Sequence, residues 1–344
     1  MSKPRNLGNA FCSHAVTVGG LVRGSVRAVI AGLLLSAALC ATQSHAQEWP
    51  QQNVRLVLPF GPGSAADIAA RVMSDGLAAR WGKPVIVENK PGADGLLAIS
   101  AFLGAKDDHV LLLTSTGSFL AHPYVHKKLD YNYERDFAPI VRIADTLLVV
   151  AVPETLKAGN LAQFVELARA QPELNLAASP GLTEFAVDAF LKAENLKTVR
   201  VPYKELAGAA RDLSEGRIHF LLTSYAVVRS FVEAGKVRII AAGTRQRSPL
   251  TRDIPSIPES GYPMLAAETS TAVFGGRQMA PALRKKIADD MIAVINDPKA
   301  RDRIAATGQD VVPSGPDELA EVLKRQSLKA ETIASTLGMR KAEN

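Results

Sequence analysis

Beyond residue 50 the chain alternates short branched-apolar runs with stretches of helical period, and this alternation limits the fold more than any other feature. Asn53–Phe60 (N-V-R-L-V-L-P-F) reads as a strand, which Gly61-Pro62-Gly63-Ser64 breaks. Ile68, Val72, Met73 and Leu77 then share one helical face, which predicts a helix closed by Gly82 and Pro84. Pro84–Glu88 is the next strand. Further strands are predicted near Val110–Leu113, Leu147–Val152, Leu174–Ala178, Thr198–Val201, Ile218–Leu222 and Val237–Ala241. Helices are predicted at about 93–104, 161–170, 183–194, 206–215 and 225–234. Such βα repetition implies α/β layers with mainly parallel sheets. From Pro281 to Gly338 the pattern is mostly helical, with breaks at Asp297-Pro298 and 312–316, and this tail is expected to pack back on one of the sheets.

The segment before this alternation has a different character. Residues 1–46 contain no acidic residue and carry Lys3, Arg5, Arg23 and Arg27 ahead of the apolar run Ala28–Leu39. As a helix that run measures about 18 Å, short of a bilayer core of about 30 Å. A basic segment, a short apolar core and small residues describe a secretory signal peptide, with cleavage expected after Ala46 in Ser44-His45-Ala46. An uncleaved anchor or a buried helix is the alternative. Cys40 follows Leu39, where a lipoprotein signal wants a small residue, so a lipid anchor is not expected. Removing 46 of the 344 residues leaves 298, and removing four positive charges from a net +6 leaves +2. Both cysteines, Cys12 and Cys40, leave with the leader, so the mature chain has no disulfide and no thiolate metal ligand. The expected destination is the periplasm.

Chemistry is expected where strands end and helices begin, because free N–H groups of a first helical turn favour an anion. Phe60, Gly61, Gly63, Ser64 and Asp67 form the first such turn, which reads equally as an ordinary βα turn with a capping serine. It lacks the G-K-[ST] ending of a P-loop and the glycine spacing of a dinucleotide fingerprint. Three more polar loops follow predicted strands: 114–118 with Thr116, Gly117 and Ser118, 179–183 with Ser179, and 223–225 with Thr223. Four neutral, hydroxyl-rich loops converging on one cleft would suit a small carboxylate.

The search for catalysis is mostly negative. His109, His122, His126 and His219 are the histidines of the mature chain, with no H-E-x-x-H pattern and no acidic third ligand at metal spacing beside His122 and His126, so no metal site is expected. There is no G-x-S-x-G elbow. Ser64 with Asp67 offers half of a hydrolase site at most, and no histidine is nominated to complete it. A mature charge of +2 with no basic stripe and no aromatic cluster excludes nucleic acid as a partner.

Several segments in order resemble the Bug family, the periplasmic solute-binding receptors of tripartite tricarboxylate transporters. They are V-R-L-V-L-P-F-G-P-G at 54–63 with Asp67, G-K-P-V-I-V-E-N-K-P-G-A-D-G at 82–95, D-F-A-P-I at 136–140, V-P-Y-K at 201–204, A-G-K-V-R at 234–238 and R-S-P-L…D-I-P-S-I at 247–257. The resemblance implies a type II periplasmic-binding-protein fold: two α/β domains joined by two crossing strands, with a ligand cleft between. Domain 1 would comprise 47–146 and 265–344, and domain 2 would comprise 147–264. The resemblance also implies a non-enzymatic protein without cofactor, acting as a monomer, that captures a small organic anion and hands it to membrane transporter subunits. Presentation of the ligand to a sensor kinase is the alternative, and a periplasmic serine hydrolase a remote one. By position, Phe60, Gly61, Gly63, Ser64 and Asp67 match the family's first ligand loop, Thr116, Gly117 and Ser118 its T-N-G-T loop, and Ser179 the start of its second-domain turn. That turn is shorter here and carries Glu184, and Thr223 replaces the aspartate that contacts a ligand's amino group, which counts against an amino-acid ligand.

Overall fold

The computed structural model describes residues 49–342 apart from Lys204, Arg245, Gln246, Pro249 and Leu250. The expected leader, its cleavage point and both cysteines lie outside the described residues. The first half of the chain builds one sheet. Strand β1 (Val54–Leu58) lies inside this sheet, next to its edge strand, with Leu56, Val57 and Leu58 fully buried. It leads through the glycine turn into helix α1 (Ala65–Trp81). Ser64 starts α1 by accepting the Asp67 N–H at 3.2 Å, and Gly82, with φ of 63°, ends it by donating to the Ala78 carbonyl. The buried face is wider than the apolar spacing predicts, because Ala66, Asp67, Ala69 and Ala70 join Val72, Met73 and Leu77 while Ile68 is half-buried.

Strand β2 (Val85–Asn89), helix α2 (Leu96–Ala105), strand β3 (Val110–Ser115), helix α3 (Thr116–Val125) and the single turn α4 (Tyr133–Asp136) follow. Strand β4 (Phe137–Thr146) ends this half, and only Leu147 separates it from β5 (Leu148–Pro153), the first strand of a second sheet. The second sheet is completed by α5 (Leu161–Ala170), β6 (Asn175–Ala178), α6 (Leu182–Ala193), β7 (Val199–Arg200), α7 (Leu206–Ser214), β8 (Phe220–Ser224), α8 (Tyr225–Glu233) and β9 (Val237–Ala242). The chain then returns to the first sheet as β10 (Ser270–Gly276), followed by α9 (Pro281–Ile295), α10 (Pro298–Ala305), β11 (Gln309–Ser314) and α11 (Pro316–Leu337).

The strand orders are β11-β4-β10-β3-β1-β2 and β7-β6-β8-β5-β9. The sheets are mixed, which corrects the expectation of mainly parallel ones. β1 is parallel to β2 and β3, and β6 to β7 and β8. β10 is antiparallel to β3 and β4, β11 to β4, and β5 to β8 and β9. The reason lies in the crossings. A strand arriving from the other sheet enters at the end where β1 and β3, or β6 and β8, leave, so β10 and β5 must run against them. Five elements were absent from the periodic reading: β4, β10, β11, α3 and the single turn α4.

Each sheet has its own aromatic core. Phe102, Phe119, Phe137 and Phe274 pack in the first, with Phe119 and Phe274 edge-to-face at 5.4 Å. Phe164, Phe190 and Phe220 fill the second. Burying each such ring contributes about 1.5–3 kcal/mol. The last helix reaches both cores: Leu319 and Leu323 sit in the first, and Ala330 and Ile333 in the second. Both sheets belong to one compact unit that runs from Gln52 onward, and the architecture is that of a type II periplasmic-binding protein, with two α/β lobes and strands connecting them.

Candidate functional site

The parallel strands β1 and β3 end side by side, and each is followed directly by a helix. The same is true of β6 and β8 in the second lobe. This register brings four helix N-termini, those of α1, α3, α6 and α8, to strand ends. First-turn N–H groups have no partner within their own helix, so each terminus carries partial positive charge.

The turn before α1 is held by Asp67. Its carboxylate is buried and accepts three hydrogen bonds, all at 2.9 Å: from the Gly63 N–H, Arg71 Nε and Asn89 Nδ2. Asn89 also donates to the Phe60 carbonyl at 2.9 Å. The hydrogen bond from Arg71, opposed by burial and helped by Gly63 and Asn89, pulls the Asp67 carboxyl down to about 2. Asp67 is therefore ionised and occupied from within the protein. Gly63 has φ of 82°, a conformation that favours glycine, and no atom would crowd a Cβ there. The open side of the turn is this glycine, and the closed side is the aspartate.

The second group stands at the start of α3. Thr116 is fully buried and its Oγ1 accepts the Ser270 N–H at 2.9 Å. The Gly117 N–H donates to Thr269 Oγ1 at 3.0 Å, and Ser115 Oγ lies 2.7 Å from the same oxygen. A Cβ on Gly117 would meet that oxygen at 2.8 Å, so glycine is required for the return segment to come this close. Thr116, Gly117 and Ser118 thus form a helical first turn, where the sequence reads a loop. Ser118 lines a 170 Å³ cavity together with Phe60, Thr114, Asp94 and His122.

In the second lobe, Ser179 Oγ and Thr223 Oγ1 are 2.9 Å apart, joining the ends of β6 and β8. Thr223 is fully buried. Glu184, the acidic residue of this turn, lies 3.4 Å from Arg200, a guanidinium that also pairs with Asp188 at 2.8 Å, so its charge is only partly compensated. The two lobes approach each other here: a Cβ on Gly181 would lie 3.8 Å from the Gly117 carbonyl oxygen, and one on Gly308 would lie 3.1 Å from the Ala226 nitrogen.

The ten residues named from the sequence therefore fall into three groups. Phe60, Gly61, Gly63, Ser64 and Asp67 share one turn, with Ser118 beside Phe60. Thr116 and Gly117 bind the return segment. Ser179 and Thr223 bind each other, next to the glycine that faces Gly117. The sequence did not reveal Thr269, which knits the α3 turn to the crossing, or Asn89, which ties Phe60 to Asp67. Both act on partners more than 20 positions away, where spacing carries no signal. A larger cavity of 680 Å³ lies at the crossing, lined by Thr146, Gly243 and Thr269 among others and by none of the ten. Part of its wall is ion-paired, Arg142 with Glu318 at 3.1 Å and Arg325 with Glu268 at 3.3 Å.

Known proteins share this architecture over nearly the whole chain. A UPF0065 protein of Bordetella bronchiseptica is 28% identical over 93% of this chain and 96% of its own length. Protein BugT of Bordetella pertussis is 25% identical over 84% of this chain and 90% of its own. Among solved structures, one described as a periplasmic transporter matches with a TM-score of 0.72 at 25% identity, covering 85% of this chain and 99% of that one. An R. palustris protein with adipate matches with a TM-score of 0.72 at 24% identity over 85% of this chain and 99% of that one. MatC from Rhodopseudomonas palustris with bound malate matches with a TM-score of 0.69 at 22% identity over 83% and 99%. The profile described as tripartite tricarboxylate transporter family receptor, TctC, matches residues 69–339, and with more than half of its length so matched the chain belongs to this receptor family.

Proposed function

We propose that the protein is a periplasmic receptor that closes its two lobes around a small organic carboxylate and delivers it to the membrane subunits of a tripartite tricarboxylate transporter. The observation that carries this reading is the set of four helix N-termini at strand ends, two from each lobe, with glycines and hydroxyls and no uncompensated charge among the ten residues. Such a site binds an anion through neutral donors. Relatives of the same fold hold adipate and malate, both small dicarboxylates.

The lobes would be 47–146 with 265–344, and 147–264, hinged at Leu147 and at Thr269. Thr146 N–H donates to the Thr269 carbonyl at 2.9 Å, so the outgoing and returning segments are tied together at the crossing. Phe60, Gly61, Gly63 and Ser118 would face the ligand. Asp67, Thr116 and Gly117 would shape the first-lobe turns, and Ser179 and Thr223 would contribute from the second lobe. Ser64 spends its oxygen as a helix cap, which argues against a nucleophile.

The test is a thermal-shift panel of mono-, di- and tricarboxylates and aromatic acids. A ligand at 100 times its Kd should stabilise the fold by about 2.7 kcal/mol, a rise of several degrees. No shift from any member of the panel would refute carboxylate capture.

A further inference from the structure

The geometry points to a divalent transition-metal site formed by Asp94, His122 and His126, three residues outside the proposed carboxylate contacts but bordering the cavity that Phe60 and Ser118 line. His122 and His126 stand four apart at the end of α3, and the fold brings Asp94 to them from the turn before α2. One donor atom from each residue lies within 4.8 Å of the others. Asp94 Oδ2 is 3.4 Å from His122 Nε2 and 3.7 Å from His126 Nε2. Metal–nitrogen and metal–oxygen bonds of about 2.0–2.2 Å in a tetrahedron put neighbouring ligand atoms about 3.3–3.5 Å apart. The two edges through Asp94 are therefore near the required length before any metal enters, and small side-chain rotations complete the set.

Three further observations favour a ligand here. The His126 Nε2 is shielded from solvent and has no hydrogen-bond partner, so a donor atom pointing at the cluster is unsatisfied. His122 is fully buried and its other ring nitrogen lies 2.6 Å from the Tyr131 hydroxyl, the kind of outer contact that orients a metal-bound histidine. The Asp94 turn holds two consecutive non-glycine residues at positive φ, Ala93 at 48° and Asp94 at 54°. Such strain persists where the surroundings require it.

The proton arrangement is also compatible. His122 Nε2 is 2.9 Å from the Asp94 carbonyl oxygen, which can only accept, so Nε2 carries the proton and Nδ1 accepts from Tyr131. Metal at Nε2 would move that proton to Nδ1, where the Tyr131 oxygen would accept it. No net charge is left behind. Two imidazoles and one carboxylate suit zinc, cobalt, nickel or copper and do not suit calcium or magnesium. With three protein ligands, a fourth position is open, beside the 170 Å³ cavity that Asp94 and His122 line with Phe60 and Ser118.

The experiment is calorimetric titration of the untagged, chelator-treated chain with zinc chloride, paired with the visible spectrum of the cobalt-loaded protein. The expected result is one equivalent of zinc and the intense visible bands of four-coordinate cobalt. Asp94→Asn and His126→Ala, both at side chains with solvent access, should each weaken zinc by more than tenfold. Tyr131→Phe should weaken it by roughly tenfold at unchanged stoichiometry. Circular dichroism confirms that each variant is folded, and no removal of the buried His122 is needed. Failure to bind zinc, or binding unchanged in both Asp94→Asn and His126→Ala, overturns the proposal. Carboxylate binding measured in the same variants separates this site from the receptor function, since either can fail alone.

Discussion

The two lobes hold their site turns by different means. In the first, one buried carboxylate gathers a backbone N–H, a guanidinium and an amide around the glycine turn. In the second, the hydroxyl pair of Ser179 and Thr223 and the Ser179 N–H on the Leu222 carbonyl hold the ends of β6 and β8 together. The first arrangement is ionic and over-determined, and the second is neutral and light. The difference implies a preformed half and an adjustable half. Anion capture would then begin on the first lobe, whose turn needs no rearrangement, and finish when the second lobe arrives.

Substitutions in both lobes test that contrast. The largest effect is expected from Asp67→Ala, which leaves Arg71, Asn89 and the Gly63 N–H without their common acceptor. A loss of about 3 kcal/mol in urea unfolding is expected, together with weaker carboxylate binding. The same clamp has a pH signature. The folded-state value near 2 is below the ordinary 3.8, so its contribution is complete above about pH 4 and fades as pH falls toward 2. Asp67→Asn should therefore narrow the gap to wild type in acid, and a gap that stays constant from pH 6 to pH 2 would show that charge is not what holds the turn.

A smaller effect, about 1–3 kcal/mol, is expected from Gly117→Ala, because the new Cβ must push Thr269 away from the α3 turn. Since Thr269 sits at the crossing, ligand affinity should fall along with stability. Unchanged affinity would remove Gly117 from the hinge. The smallest effect belongs to the second lobe. Ser179→Ala and Thr223→Val should each cost about 0.5–1.5 kcal/mol, and the double variant less than their sum. A cost as large as that of Asp67→Ala would erase the asymmetry.

Much of the fold was legible because its strands and helices follow one another in short periods. Leu161–Ala170 and Tyr225–Glu233 stand within a residue of where the apolar spacing puts them. Three strands of the first sheet were not legible from period. β4 carries Pro139, Arg142 and Asp145 among its apolar residues, β10 ends in Gly275-Gly276, and β11 contains Pro313, so none alternates cleanly. Their stability comes from partners far along the chain, and local pattern has no access to that. The candidate site divides in the same way. Its glycines and hydroxyls announce themselves at strand ends, but their roles depend on partners. Asp67 reads as part of a ligand loop, and the partners its carboxylate holds, Gly63, Arg71 and Asn89, are not visible in that spacing. His122 and His126 read as isolated because Asp94 reaches them only after α2 and β3 have been folded between them.

The C-terminal helix has a consequence for motion. Its 22 residues make a rod of about 33 Å with one end seated in the first aromatic core and the other in the second. A stiff strut fixed in two bodies sets their separation along its length. The lobes are therefore not free to drift apart in any direction: they pivot about the strut, or one end must leave its socket. The steering of the proposed closing movement would thus fall to a helix far in sequence from every turn it brings together.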